Sequence, residues 1–253
     1  CLFDVATTAR AEGAWILDGG KIHVLDGASA GKFVVSARIS GDRRQRDGLA
    51  LFLVDANAHG LSLQAYEAQD GSTACSLRLD KVSVGADALL GRAGDGLQTL
   101  EHVVGTAIAA LAAESVGLMQ AMHDATIDHL KTRKQFGQAL GSFQALQHRA
   151  VDMLIALEQA RSMSIYAASM ARCEDVALRH RALSAVKLQV GKSARYIGHQ
   201  AIQMHGGIGM TQACRISRYF LRSLLIESLF GDTQHYLSAM AAGSGGDRLL
   251  AVG

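Results

Sequence analysis

The hydrophobic pattern of the chain changes once, close to Gly91, and this change limits the folds that are open to it. Before Gly91, short alternating or β-branched segments are separated by glycine- and aspartate-rich turns, which predicts strands. After it, long apolar stretches lack turn residues, which predicts helices. The sequence therefore predicts an α+β chain, with an antiparallel β-barrel or sandwich over residues 1–91 and an up-and-down four-helix bundle over residues 92–253.

Six strands are predicted in the first domain, at residues 14–17, 21–25, 32–39, 49–54, 61–66 and 75–84, with Asp18-Gly19-Gly20 as the first turn. In the second domain, a helix is expected from Gly96 to about Lys134. The next helix should begin with Ser142 as its N-cap and bury Leu146, Ala150, Met153, Leu154 and Leu157.

A third helix is predicted from about residue 175 to residue 205, ending at Gly206-Gly207, where glycine supplies the positive φ of a C-terminal cap. Its buried side should carry Leu183, Val186, Val190, Ile197 and Ala201. Two shorter helices are expected at about residues 212–229 and 233–242.

Charge and composition exclude several classes of protein. Lys and Arg total 25 against 23 Asp and Glu, and no basic stripe is visible, so we expect no nucleic-acid partner. The longest uncharged apolar run, residues 103–113, ends at Glu114, whereas a membrane span needs about 20 such residues. We therefore expect a buried helix there and no membrane span.

The chemistry of the cysteines and histidines indicates neither a disulfide framework nor a metal site. The four cysteines form no CxxC pair, and no HExxH motif is present. Reduced thiols are typical of a cytoplasmic protein, which is the predicted location. The chain begins at Cys1 without a signal-peptide pattern, and we take it to be part of a longer polypeptide.

Two stretches carry residue types that suit a phosphorylated, planar ligand. In Arg133-Lys134-Gln135-Phe136-Gly137, a guanidinium suited to phosphate lies beside an aromatic ring that can pack on a planar group. In Gln203-Met204-His205-Gly206-Gly207, glycines allow backbone amides to approach a ligand closely. Each stretch alone is more often a simple helix cap.

Taken together and in this order, the two stretches resemble the acyl-CoA dehydrogenase family. The resemblance continues in the first half, in the segments at residues 15–21, 51–55 and 79–84, and covers essentially the whole chain. More narrowly, residues 4–8, 51–55, 109–117 and 230–232 resemble the small-subunit branch of heteromeric members such as pimeloyl-CoA dehydrogenase. Family members carry a further N-terminal helical domain, and this domain is absent from the chain.

The resemblance implies an FAD-dependent oxidoreductase of fatty acid and lipid metabolism that desaturates an acyl-CoA thioester between Cα and Cβ. In such tetramers, FAD lies across a subunit interface. By the family's motifs, Arg133 would reach the pyrophosphate and Phe136 would pack on the cofactor. The adenosine half would contact Gln144 and the Gln203, Gly206 and Gly207 turn, and Thr233 would be a further FAD contact.

Departures from the family pattern fall on the flavin-ring pocket and the catalytic base. Leu25 stands where a flavin-contacting Thr is usual, and His23 where a Trp is usual. The two positions at which family members carry the base correspond to Gly231 and Ala107. Asp232 is the weak candidate for a replacement, with a helix N-cap as its more common role. Glu114 is expected to be buried and hydrogen-bonded.

Three functional hypotheses follow. The first is an accessory subunit that completes the FAD site of a homologous partner subunit. The second is an active homotetramer in which Asp232 is the base. The third is a flavin-free structural paralogue. By the resemblance, an electron-transfer flavoprotein would be the electron acceptor. The acyl group stays open among dicarboxyl-CoA, sterol side-chain-CoA and aromatic acyl-CoA esters.

Overall fold

A computed structural model describes residues 2–211 and 213–242 of the chain. The chain divides into two compact units, Cys1–Val103 and Val104–Gly253. The first holds the strands of the predicted β domain and the second most of the helices, which confirms the α+β prediction. The boundary predicted between residues 91 and 92 falls inside the last strand of the large sheet.

Seven strands form one sheet in the first unit. They are β1 (Thr8–Glu12), β2 (Ala14–Leu25), β3 (Lys32–Arg38), β4 (Leu49–Asp55), β5 (Leu61–Glu67), β6 (Thr73–Val84) and β7 (Leu89–Gly94). Their order is β5-β6-β2-β1-β3-β4-β7. All neighbours are antiparallel except β1 and β3, which pair in parallel at Thr8 and Arg38. Alternate side chains of β2, β3, β4 and β6 fill a single apolar core.

The predicted turn at Asp18-Gly19-Gly20 is wrong, because β2 continues through it as one strand of 12 residues. Its pairing with β6 shifts register between Leu17 and Gly19 and again between Lys21 and Val24. At Gly19, with φ of 135°, a Cβ would lie 2.8 Å from the Cα of Thr7. The glycine pair therefore permits a bulge and a close backbone approach instead of a reversal of the chain.

The sequence reading also missed two strands, β1 and β7. Both are mostly exposed, with burial that does not alternate along the strand. A strand of this kind gives no period-two hydrophobic signal, so only its partners in the sheet define it.

The helical elements are α1 (Gly96–Thr132), α2 (Gln144–Met170), α3 (Val176–His205), α4 (Arg215–Ser228) and α5 (Thr233–Ala242). A short hairpin, β8 (Lys134–Gln135) and β9 (Gln138–Ala139), separates α1 from α2. The start predicted for the fourth helix, near residue 212, lies outside the described residues. The central element is α3, which packs against α2, α4 and α5, and all five residues predicted for its buried side are buried.

Two predictions for α2 are wrong. The helix begins at Gln144 with Phe143 at the cap position, and Ser142 Oγ instead donates to the Ala139 carbonyl at 2.7 Å. Ser142 closes a preceding 3-10 turn and so cannot cap the helix. Leu154 is 43% exposed, whereas Met153 and Leu157 are fully buried, because only one stripe of α2 faces the other helices.

In the part of the chain that the structure describes, α1 alone has the length and apolar composition that crossing a membrane requires. Of its most apolar 18-residue window, 39% is already buried within the protein. Its fully buried side chains Met119 and Met122 are those of a helix packed in a protein core.

We expect Leu157→Ala to lower the free energy of unfolding by about 2–5 kcal/mol, because truncation of a fully buried leucine leaves a cavity. Leu154→Ala on the same helix is the matched control, and it should change stability by no more than about 0.5 kcal/mol. Urea unfolding followed by circular dichroism measures both. Equal losses would show that the outward face of α2 is covered in solution.

Candidate functional site

The Arg133–Gly137 stretch forms a tight corner between α1 and α2. Phe136 and Gly137 have φ of 55° and 80°, as the two central residues of a type I′ hairpin turn require. The backbone of Arg133 is fixed at both ends, since its N–H donates to the His129 carbonyl and its carbonyl accepts from the Leu140 N–H, both at 2.8 Å. Among the described residues, its exposed guanidinium has no hydrogen-bond partner.

An aromatic platform accompanies this guanidinium. Phe136 at the tip of the hairpin is 87% exposed, and the edge of its ring meets Phe143 with centroids 6.1 Å apart. Gln144, the first residue of α2, follows Phe143 directly and is exposed. The corner therefore presents a cation, an aromatic face and a side-chain amide from one short segment.

The second predicted stretch ends α3 with an open backbone surface. Gly206, with φ of 66°, caps the helix and begins a 3-10 turn, Gly206–Met210, which confirms the predicted glycine cap. Gln203, Gly206 and Gly207 are exposed, and a Cβ at either glycine would meet nothing within 4 Å. The space in front of both glycines can therefore admit a ligand.

A pair of histidines brings the two stretches together. His129, one turn before Arg133 on α1, stacks on His205 of α3 with ring centroids 4.4 Å apart and an interplanar angle of 25°. Burial, His205 and Arg133 together lower the pKa of His129. The sequence reading had treated His129 as an ordinary surface or capping group. Two features of the sequence could have indicated the pair. His129 precedes Arg133 by four residues, and His205 directly precedes Gly206.

The corner between α4 and α5 holds the residues at the family's base position. Gly231 has φ of 106°, and a Cβ there would lie 2.7 Å from the His235 ring. Asp232 Oδ1 accepts the His235 N–H at 2.7 Å, so this carboxylate caps α5. Ala107, the other position named for the base, lies on α1 and carries no ionisable group.

Buried charges fix this corner to α3. Lys187 donates from Nζ to the carbonyls of Ile226 and Glu227 at 2.7 and 3.0 Å, and burial lowers its pKa to about 8. Arg195 pairs with Glu227 at 2.7 Å, and the carboxylate also accepts the Thr233 N–H at 3.1 Å. Burial raises the pKa of Glu227, but the Thr233 N–H and Arg195 outweigh it and hold the pKa below its usual range.

Thr233 lies at one end of a groove of about 290 Å³ on α3, which we call the α3 groove. Its lining consists of Lys192, Arg195, Tyr196, His199, Gln200 and Thr233. Gln200 Oε1 is buried without a hydrogen-bond partner within the described ranges. Unpaired buried polar atoms are uncommon in native proteins, and a water or a polar ligand can satisfy them. Sequence reasoning named only Thr233 here.

The strand that faces the flavin ring in the family is distorted in this chain. His23 has φ of 56° and lies in the β2 bulge, where its Nδ1 is 3.3 Å from the Tyr66 hydroxyl. Leu25 offers a partly exposed aliphatic side chain and no hydroxyl group. Neither residue supplies the Thr hydroxyl or the Trp ring that the resemblance places against a flavin ring.

The expectation of a buried Glu114 is wrong, although its hydrogen bonding is confirmed. Glu114 lies on the exposed side of α1 and binds Arg222 in bidentate fashion at 2.6 and 3.1 Å. No cluster of three possible metal ligands occurs in residues 2–211 and 213–242.

Comparison with known proteins agrees with this geometry. The profile of the acyl-CoA dehydrogenase middle domain matches residues 3–82, and that of the acyl-CoA dehydrogenase C-terminal domain matches residues 94–244. The chain belongs to the acyl-CoA dehydrogenase family. It is 30% identical to the human mitochondrial short-chain specific acyl-CoA dehydrogenase over 94% of its length. This alignment spans only 58% of the human protein.

Two solved structures are similar over nearly the whole chain. A "Tcur3481-Tcur3483 steroid ACAD G363A variant" is 31% identical with a TM-score of 0.82, and the match covers 96% of this chain and 64% of that one. An "FAD-dependent dehydrogenase" is 27% identical with a TM-score of 0.87, covering 96% and 66% respectively.

The buried amine of Lys187 makes the stability of the bundle depend on pH. Because its pKa of about 8 lies below the unfolded value of 10.5, the unfolded chain binds more protons than the folded chain between these pH values. Stability should therefore rise from about pH 8 to about pH 10, by roughly 2–3 kcal/mol for this group. Urea unfolding across this range measures the slope.

The Lys187→Met variant should lose this part of the slope, and the exposed Lys131→Met should keep it. Lys21 in the sheet, whose pKa burial also lowers to about 8, adds a slope of the same sign. The contribution of Lys187 is therefore the difference between the pH slopes of the variant and of the wild type. An unchanged slope in Lys187→Met would contradict the assignment.

Proposed function

We propose that this chain is the accessory subunit of a heteromeric, FAD-dependent acyl-CoA dehydrogenase. Its bundle completes the FAD site of a homologous subunit, and that subunit supplies the flavin-ring pocket and the base. Two observations carry the proposal. Arg133, Phe136 and Gly206 are exposed and can contact a ligand, and Gly231 provides no carboxylate at the family's base position.

The residues present fit FAD at the corner and in the α3 groove. The Arg133 guanidinium can bind the pyrophosphate, and the open glycine turn admits its oxygens near backbone amides. Phe136 can pack on a planar ring of the cofactor. The Gln200 Oε1 atom, which has no protein partner in the described part of the chain, can accept a hydrogen bond from the cofactor. When bound, FAD supplies the hydride acceptor for the Cα–Cβ oxidation.

This chain's own residues bind and orient, and they do not move the substrate proton. A general base needs a carboxylate within hydrogen-bond reach of that proton. Gly231 and Ala107 have none, and the Asp232 carboxylate is already held by the backbone of α5. At the two positions where the resemblance expects flavin contacts, this chain has His23 and Leu25 instead of Trp and Thr. Loss of both features in one chain favours a partner subunit that retains them.

The similar proteins support this assignment. One is named as an FAD-dependent dehydrogenase, and the name of another joins two designations, Tcur3481 and Tcur3483, with the words steroid ACAD. We infer a tetramer built with a homologous subunit, an acyl-CoA substrate and an electron-transfer flavoprotein as acceptor.

The colour of the purified protein tests the proposal. Co-expression of the chain with its co-purifying partner should give a yellow complex with the visible band of oxidised flavin, whereas the chain alone should be colourless and inactive. A yellow, active chain on its own would instead support the homotetramer with Asp232 as base. No flavin in either preparation would support the structural paralogue.

Arg133→Ala should weaken FAD retention in the complex by about 1.5–3 kcal/mol, the value of a hydrogen bond to a charged group. Folding should change little, since loss of a charge near a helix end costs about 0.3–1 kcal/mol. Arg181→Ala, which removes an exposed arginine from α3, is the matched control. Flavin occupancy after dialysis measures the effect, and equal occupancy in all three proteins would leave Arg133 as a helix cap only.

Asp232→Asn should change the turnover of the complex by less than about tenfold, equivalent to 1.4 kcal/mol. The reason is that its carboxylate caps α5 and follows the family's base position by one residue. Removal of a general base typically costs a factor of about 10² to 10⁴. A loss of that size with FAD still bound would show that Asp232 is the base.

A further inference from the structure

In the described part of the chain, no hydrogen bond or ion pair links the stacked histidines to a carboxylate. His129 lies in the last turn of α1, and Arg133 directly follows that helix, with its N–H donating to the His129 carbonyl at 2.8 Å. His205 closes the cluster from the end of α3, with centroids 4.4 Å apart. Three groups that are or can become cationic thus lie together, and this arrangement suits an anion.

The two rings have different hydrogen-bond capacity. His205 Nδ1 lies 2.8 Å from the Ala201 carbonyl, so Nδ1 carries a hydrogen and Nε2 is left for another partner. The His129 ring has no hydrogen-bond partner in the described part of the chain. At least one nitrogen on each ring is therefore open to a ligand.

Burial and the neighbouring positive groups oppose the protonation of His129 in the free protein. Burial, His205 and Arg133 each lower its pKa. Beside it, α1 carries Asp128 and Lys131, while the last turn of α3 and the Gly206–Met210 segment hold no titratable side chain except His205. Two adjacent imidazolium ions would repel each other, which disfavours protonation of the pair. An anion bound between the histidines and Arg133 would instead favour their protonation.

We propose that His129 and His205 form, with Arg133, a proton-linked site for a pyrophosphate group. The pair takes up a proton from solvent as the anion binds, and the resulting imidazolium donates to a phosphate oxygen. This inference rests on the proposed function, because it takes Arg133 to face the FAD pyrophosphate. It adds two binding groups and a pH dependence to that site.

The direction of the pH dependence follows from linkage. The bound anion raises the pKa of His129, so the complex holds more protons than the free protein around neutral pH. Affinity should then increase as the pH falls through that window. The FAD pyrophosphate diester does not itself titrate there, so a pH dependence of this sign belongs to the protein.

The test measures FAD dissociation constants from about pH 8.5 to about pH 6, on whichever assembly retains the flavin. Wild type should bind FAD about tenfold more tightly at the lower pH, which corresponds to a rise of about one unit in the pKa of His129 on binding. His129→Asn and His205→Asn should flatten this dependence to within about twofold. His59→Asn, an exposed histidine of the sheet domain, should leave it intact. A flat wild type, or a slope kept in both variants, overturns the proposal.

A calorimetric measurement separates proton uptake from any loss of folding. Titrations in two buffers of different ionisation enthalpy should show net proton uptake for wild type and His59→Asn, and none for His129→Asn. Dephospho-coenzyme A, which has a pyrophosphate but no flavin, is titrated in parallel. Proton-linked binding of that compound instead of FAD would overturn the assignment to the flavin cofactor.

A different experiment tests the anion site if the proposed function itself is wrong. If no assembly retains FAD at any pH, the histidine resonances of the chain alone are titrated by NMR with and without inorganic pyrophosphate. A pKa of His129 raised by pyrophosphate supports the anion site without the FAD assignment. An unchanged pKa overturns the site itself.

Discussion

The bundle depends on the burial of α3 between three other helices, and one buried amine secures that arrangement. Lys187 donates to two carbonyls at the end of α4, where the negative end of the helix dipole lies. The Arg195–Glu227 ion pair is a second link between α3 and this corner, because Arg195 also lies on α3. The α4–α5 corner, and with it Thr233, is thus held in place by α3.

The same helix also organises the candidate site. Lys192, Tyr196, His199 and Gln203 follow one another at helical spacing along one exposed face of α3. At a rise of 1.5 Å per residue, the face from Lys192 to Gln203 extends about 16 Å. Thr233 Oγ1 lies beside Gly191 towards one end of this face, and the glycine turn lies at the other end. This surface suits an elongated ligand with a polar ring at one end and phosphates at the other.

Sequence alone predicted those features that depend on local chemistry. The buried side of α3 followed from its period of 3.6, and the glycine cap at Gly206 from its backbone freedom. The bulge in β2, the exposed Leu154 and the pairing of Glu114 with Arg222 did not, because each depends on a neighbour distant in sequence. The His129–His205 stack was not predicted for the same reason, because the two rings come from helices distant in sequence. The family motifs next to each histidine could nevertheless be recognised in the sequence.

The backbone at the α4–α5 corner separates binding from catalysis in this chain. Gly231 combines a positive φ with a Cβ position that His235 already occupies, so a glutamate there would be strained as well as crowded. The Tyr236 hydroxyl donates to the Phe230 carbonyl at 2.6 Å, and Asp232 caps α5, so the hydrogen bonds of the corner are built around the glycine. This backbone agrees with the proposed accessory role, in which the α1–α2 corner contributes to cofactor binding and a partner subunit supplies the base.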